Sequence, residues 1–302
     1  MVESEWALSG VRIAYIVLAH TLPRQLRRLV DRLDGDHAVF LVHVDKHAPS
    51  DLYADALREL AVHPRVTLVS RRSSRRTTFG QVSAPLDALA ALVRRGDPFD
   101  YAILLSGQDY PLKPQAALRG FLADERRPCY LHAFPIEDPE RSEWPEEATF
   151  RYRHWHVRVG QRRWSVPLSL RMPGRREPFG GSAYWALPRD AVECVLDTVE
   201  REPRLVRFFE HTFCPDEMFF QTILLNSSLR ERVTTLAAPD CYGLHFIDWR
   251  PNSDRPETLD SSTLPRLQAT PAFFARKFDA TVDEAVLDAI DAELLGVPRG
   301  LM

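Results

Sequence analysis

Arg12-Ile-Ala-Tyr-Ile-Val-Leu18 and Ala38-Val-Phe-Leu-Val-His-Val44 are two apolar runs of strand length, and what separates them decides the fold. Between them, Thr21 can cap a helix that carries Leu22, Leu26, Leu29, Val30 and Leu33 at helical spacing. A near-continuous apolar strand has no face to give to water, so its sheet needs cover on both sides. Strand, helix, strand in that order is a parallel unit with the helix laid over it. The rhythm continues outward. Asp51 to Ala61 reads as helix and Val66 to Val69 as strand. Gln81 to Arg94 reads as a helix with Leu86, Leu89, Ala90 and Val93 on one face, and Tyr101 to Leu105 as another buried strand. The expected class is α/β, a mainly parallel sheet with helices on both faces. A chain of 302 residues is enough for one such domain.

The stretch from Pro135 to Pro178 breaks this rhythm. It is rich in Arg, Trp, Tyr, Pro and Glu and has no period. An irregular stretch of that length inside a compact domain is commonly a functional loop or lid. The plainer reading is a solvated excursion, against which Trp144, Tyr152, Trp155 and Trp164 argue. Regular structure then resumes, with strand over Gly181 to Leu187 and helix over Arg189 to Glu200. Pro215 suits the first helical position of a segment running to Leu225. Val233 to Ala237 and Leu244 to Trp249 are strand-like, and Arg250 to Leu264 is a loop. Thr281-Val-Asp-Glu284 reads as a capping box before a helix striped by Val282, Ala285, Val286, Ala289, Ile290 and Leu294.

Composition narrows the function. A net charge of −3 lacks the basic excess that a nucleic-acid backbone requires. Of the 39 cationic residues only Lys46, Lys113 and Lys277 are lysine. Either the genome writes arginine by habit, or these sites want a compact ammonium. Cys129, Cys194, Cys214 and Cys241 have no metal-ligand spacing and read as reduced, buried thiols. The apolar run Ile13 to Ala19 is too short to span a bilayer and lacks the flanks of a signal peptide, so a cytoplasmic location is expected. Leu18-Ala-His-Thr-Leu-Pro23 is not a dinucleotide-binding turn, and there is no P-loop, nucleophile elbow or His-Glu-x-x-His helix.

In open parallel sheets, ligands bind beyond the carboxyl ends of the strands. Asp45 and Asp109 fall there, and each either accepts bonds from a uracil or ribose or orders its own loop. The Asp-x-Asp at Asp34-Gly-Asp36 sits at a strand's amino end, and Gly107-Gln-Asp109 offers one carboxylate only. No metal site is therefore expected, and a diphosphate leaving group would need cationic side chains. Phe273-Phe-Ala-Arg-Lys-Phe-Asp279 sets Arg276 and Lys277 between apolar anchors, costly without an anion, though the pair reads equally as solvated. The run Arg71-Arg-Ser-Ser-Arg-Arg76 ranks lower, since loop charge runs are usually solvated. Asp216 and Glu217 fall in the first turn after Pro215. There they either complement the helix dipole, worth about 0.3–1 kcal/mol, or supply a general base.

At these residues the chain resembles glycosyltransferase family 14, the Core-2/I-branching β-1,6-N-acetylglucosaminyltransferases and peptide O-xylosyltransferases. The matching stretches are His43-Val-Asp-Lys46, Thr78-Phe-Gly80, Leu105-Ser-Gly-Gln-Asp-Tyr-Pro-Leu-Lys113, Gly180-Gly-Ser-Ala-Tyr-Trp185, Pro215-Asp-Glu-Met-Phe-Phe-Gln-Thr-Ile-Leu224, Ile247-Asp-Trp249 and Phe274-Ala-Arg-Lys-Phe-Asp279. The resemblance implies one GT-A domain over 1–302, with a nucleotide-binding half near 10–134, the irregular loop 135–178 and an acceptor and catalytic half over 179–296. It implies inverting, metal-independent transfer of GlcNAc or xylose from a UDP-sugar to a glycan, peptide or small-molecule hydroxyl. Glu217 would be the base. Asp45 and Phe79 would sit at the nucleotide, and Arg276 and Lys277 at the diphosphate. Asp109, Gly181, Ser182, Tyr184, Trp185 and Asp216 would line the sugar and acceptor. The family places a phosphate-holding arginine shortly before Ile-Asp-Trp; here His245 stands at that position, with Arg250 nearby. The animal enzymes carry anchors and disulfides, so the resemblance is to a soluble, bacterial-type member. Two other classes remain open: a sugar-nucleotide hydrolase or pyrophosphorylase, and a non-catalytic carbohydrate-binding protein.

Overall fold

The computed structural model describes residues 10–49, 54, 58, 60–160, 162–250, 253 and 255–297. The helix expected over 51–61 lies largely outside them. The first half runs β1 (Ile13–Ala19), α1 (Pro23–Leu33), β2 (Ala38–Val44), β3 (Val66–Leu68), α2 (Gly80–Arg95), β4 (Tyr101–Ser106), β5 (Tyr110–Pro111), α3 (Gln115–Leu122) and β6 (Cys129–Pro135). The second runs α4 (Phe150–Arg153), β7 (His154–Val159), β8 (Arg162–Pro167), β9 (Phe179–Pro188), α5 (Arg189–Arg201), α6 (Pro203–Glu210), α7 (Phe219–Leu225), β10 (Val233–Thr234), β11 (Cys241–Tyr242), β12 (His245–Ile247), α8 (Leu264–Ala269), β13 (Phe274–Arg276) and α9 (Ala285–Glu293).

The large sheet has the order β10-β6-β9-β4-β1-β2-β3. β3, β2, β1 and β4 are parallel neighbours, with Ile13 beside both Ala38 and Tyr101. β9 runs antiparallel between β4 and β6 and is the one reversed strand of a mostly parallel sheet. The apolar run of β1 is explained by its two faces. Ala14 and Ile16 enter the core under α2, α5 and α7, while Ile13, Tyr15 and Val17 enter the one under α1 and α3. Period-two alternation thus serves two apolar layers.

A smaller sheet, β11-β12-β13-β5, packs over a third core with α8 and α9. β13 pairs antiparallel to β5, Ala275 opposite Tyr110, which carries Arg276 alongside Asp109. α9 is tied to α1 through Asp291, which accepts from Arg28, Arg32 and the Tyr110 hydroxyl at 2.7–2.8 Å.

Four local expectations are corrected. Thr21 does not cap α1; Leu22, at φ +55°, precedes Pro23 at the first turn. The segment after Pro215 is not one helix. Pro215–Glu217 is a 3₁₀ turn, Met218 at φ −138° breaks the ladder, and α7 starts at Phe219. The capping box does not form: Thr281 turns back to donate to Asp279, and Val282 is exposed. The stretch 135–178 is not shapeless, since β7 and β8 form a hairpin within it. Among the described residues, no helix is long and apolar enough to cross a membrane. The four cysteines are free thiols, three of them buried and Cys194 partly so.

Candidate active site

The carboxyl ends of β1, β2 and β4 bring His20, Asp45 and Asp109 to one edge of the sheet. Asp45 is buried and spends both oxygens locally. Oδ1 accepts the His47 N–H at 2.6 Å; Oδ2 accepts the Ser74 N–H at 2.5 Å and its hydroxyl at 2.6 Å. Burial alone would raise its pKa, but these donors outweigh it and hold the carboxyl below its ordinary range. Asp45 therefore orders the loop 71–76, whose Arg71 returns a bond to the Asp45 carbonyl at 2.9 Å. Gly80 is required where that loop meets α2, because a Cβ there would lie 1.8 Å from the Ser73 carbonyl oxygen. Thr77, just before Thr78-Phe-Gly80, sits at φ +69°, a strained position for a β-branched residue. Strain of this kind concentrates at ligand sites.

Asp109 is wholly buried at the centre of the next cluster. It accepts the Ser106 N–H at 2.8 Å, the Ser106 hydroxyl at 2.6 Å and Arg276 Nε at 3.0 Å, and His245 Nε2 lies 3.4 Å away. Burial opposes its charge, yet Arg276, His245 and Ser106 together hold its pKa below the ordinary value. Burial lowers His245, leaving the neutral ring favoured, and it stacks 4.8 Å from Tyr184 and 5.3 Å from Phe274. The Arg276 guanidinium lies 4.3 Å over the Tyr184 ring. Asp109 thus orients an arginine whose terminal nitrogens make no hydrogen bond or ion pair among the described residues. Lys277, next along a cis peptide, likewise forms no ion pair among them. Its pKa is lowered, first by burial and then by the charges of Arg276, Arg255 and Arg76, with Glu257 opposing.

The turn Pro215–Glu217 adjoins this cluster through Asp216, whose charge acts on Tyr184. Cys214 ahead of it sits at φ +49°, a second strained position at the site. Glu217 Oε2 accepts from Arg151 Nη1 at 2.5 Å, while Oε1 has no hydrogen-bond partner among the described residues. Arg151 comes from α4, in the irregular stretch, and lies 4.0 Å over the Trp144 ring. Asp216 Oδ1 is buried without a partner. Burial and the adjacent Glu217 charge push the Asp216 carboxyl up to about 7, with Arg151 and Arg76 opposing. Since the acids lie on a 3₁₀ turn ahead of α7, the dipole of a long helix does not account for Glu217; Arg151 is its partner.

Other sequence candidates have structural roles. Gly181 lies so close to β6 that a Cβ would come 1.9 Å from the His132 carbonyl oxygen, and Gly180 packs on Trp144. Ser182 gives its carbonyl to Gln221 at 2.6 Å. Trp185 is 1% exposed and packs 5.0 Å from Phe220, so its ring belongs to the core and not to an open wall. Phe79 packs edge-on against Phe219. Arg250 is exposed and pairs with Glu257 at 3.1 Å. Asp34 and Asp36 both pair with Arg65. Among the described residues, no three His, Cys, Asp or Glu side chains converge as metal ligands.

Two residues, Arg151 and His20, escaped the sequence reading, and Arg76 was ranked low in it. Arg151 left a usable signal: eight arginines and no acid between Ala148 and Arg176, a charge surplus that must find carboxylates elsewhere. His20 occupies the same strand-end position as Asp45 and Asp109. The residue is exposed at the sheet edge. Desolvation lowers its pKa, the Asp45 charge raises it and the Arg276 charge lowers it, so both charges act on it. Arg76 ended the basic run ranked second, yet its charge acts on both Asp216 and Lys277.

The sequence profile of the Core-2/I-Branching enzyme family matches residues 13–275. Xylosyltransferase 2 of Rattus norvegicus is 31% identical across 98% of this chain and 35% of its own length. Xylosyltransferase 1 of the same organism is 28% identical across 95% of this chain and 36% of its own. A xylosyltransferase of Ciona intestinalis is 27% identical across 95% and 34%. The chain spans about a third of the length of the curated relatives it matches.

Proposed function

The chain belongs to the Core-2/I-branching enzyme family, and from that premise we propose that it is a glycosyltransferase using a UDP-sugar, GlcNAc or xylose. The observation that carries this reading is the opposed arrangement at the sheet edge. Glu217 keeps one oxygen uncommitted, its neighbour Asp216 acts on Tyr184, and over that ring lies Arg276, which with Lys277 pairs with no carboxylate beyond Asp109 among the described residues.

The acceptor hydroxyl would give its proton to Glu217 Oε1 as its oxygen bonds to the anomeric carbon. The bond from that carbon to the diphosphate breaks on the opposite face, and its electron pair leaves with UDP. Arg276 and Lys277 would take up the developing charge, with no metal required. An α-linked donor then gives a β-linked product. His20 and Arg76 would add to the nucleotide and diphosphate side, and Asp216 to the sugar or acceptor side. The location proposed is cytoplasmic.

The test is product analysis. UDP-GlcNAc and UDP-xylose are offered with a panel of hydroxyl acceptors in excess EDTA, and the new linkage is read by NMR. A β-linked product at undiminished rate is expected. UDP release without acceptor, an α-linkage, or activity restored only by Mn²⁺ would each contradict one part of the reading.

A further inference from the structure

The β7–β8 hairpin has two unlike faces. On one, His156 is buried against Phe150, ring centroids 5.7 Å apart, and Arg163 lies 4.0 Å over Phe213, just ahead of the Pro215–Glu217 turn. That face belongs to the domain. The other looks outward. Residues 162–169 are exposed without a break. Within them Trp164, Val166 and Leu168 are 57%, 40% and 54% exposed. Their alternate spacing in an extended chain sets all three on one side, with Arg162 leading the row. Across the ribbon Val157, half-buried, pairs with Trp164 and extends the strip, while Trp155, opposite Val166, packs 4.8 Å from His211 and anchors its end.

The charge around this strip is one-sided. Between Ala148 and Arg176 there are eight arginines and no Asp or Glu. Arg151, Arg153 and Arg176 pair with Glu217, Glu137 and Glu202. Arg158, Arg162, Arg163, Arg171 and Arg175 form no ion pair among the described residues. A water-exposed row of Trp, Val and Leu is unfavourable unless something covers it.

We propose that this face docks on an anionic lipid bilayer. Tryptophan favours the headgroup interface, aliphatic side chains enter the acyl boundary, and arginines lie along it with their guanidinium groups at the phosphates. An acidic glycan would engage the Trp ring and the arginines but would leave Val166 and Leu168 in water. The bilayer uses the whole row. One strand inserts shallowly, so binding is reversible and depends on lipid charge. Arg163 on Phe213 ties the docked face to the turn that carries Glu217.

The full chain is sedimented with vesicles of equimolar phosphatidylglycerol and phosphatidylcholine, and with vesicles of phosphatidylcholine alone. Binding to the charged vesicles only, weakened by salt, is expected. An arginine at such a surface is worth about fivefold in partitioning, so Arg162→Gln should lower it about fivefold. Trp164→Ser with Leu168→Ser should abolish it while leaving the melting temperature unchanged. Failure of the wild type to bind, or equal binding by the variants, overturns the proposal. So does retention on an acidic polysaccharide without vesicle binding. Self-association that disappears in the Trp164→Ser, Leu168→Ser variant would assign the face to a second copy and overturn it too.

Discussion

Two acid–arginine pairs stand at the edge of the large sheet, and they leave opposite partners free. In Asp109–Arg276 the acid is wholly buried and both its oxygens are engaged, while the terminal nitrogens of the arginine are uncommitted among the described residues. In Glu217–Arg151 the arginine is held on Trp144, and the acid, 29% exposed, keeps one oxygen uncommitted. The same two groups, a carboxylate and a guanidinium, thus present a fixed cation at one place and a fixed base at the other. What differs is which partner the surrounding fold immobilises. β5 and the Ser106 turn fix Asp109, whereas α4 and its aromatic neighbours fix Arg151.

The comparison breaks first at Asp109. Asp109→Asn leaves Arg276 buried without its counter-charge, and losing one member of such a pair costs about 3–5 kcal/mol. Denaturant unfolding should record a loss of that order, together with weaker UDP binding; an unchanged midpoint would mean that the pair does not hold the strand β13 in place. The next largest effect falls on Arg151. Arg151→Met frees the Glu217 side chain, and misplacement of a reacting group costs on the order of 10²-fold in turnover. UDP affinity should hold, and Arg151→Lys should recover part of the rate. Equal loss of rate and UDP affinity would show that Arg151 contacts the donor instead.

The smallest effect sharpens the acidic side. The Asp216 carboxyl is raised to about 7 in the folded protein and titrates in the ordinary carboxylate range when unfolded. Between those values the folded state binds the extra proton, so stability falls as pH rises through that window and levels off above about 7. Asp216→Asn should flatten the melting-temperature profile there. A wild-type profile already flat would place Asp216 in a better-solvated position than its unpartnered Oδ1 implies.

The sequence made the four parallel strands legible to within a residue, because their apolar runs face two cores and leave no ambiguity of period. Arg276 and Lys277 were legible for a related reason, as charges between obligate core residues. The break at Met218 was not, since nothing in Glu217-Met-Phe219 forbids a helix, yet Met218 sits at φ −138°. Nor was the hairpin, whose alternating Trp164, Val166 and Leu168 are exposed where such a row ordinarily enters a core. The resemblance set Gly181 and Trp185 at the sugar and acceptor site; in the fold the glycines serve the close approach of β9 to β6 and Trp144, and the Trp185 ring packs on Phe220.

The most direct test measures turnover and UDP affinity side by side in Glu217→Gln and Lys277→Gln. General-base help is worth about 10²–10⁴-fold, so Glu217→Gln should lose turnover on that scale with its calorimetric UDP affinity intact. Lys277→Gln should show weakened UDP binding. Near-normal turnover in Glu217→Gln, or loss of UDP affinity in that variant alone, would contradict the assignment of base to one pair and cation to the other.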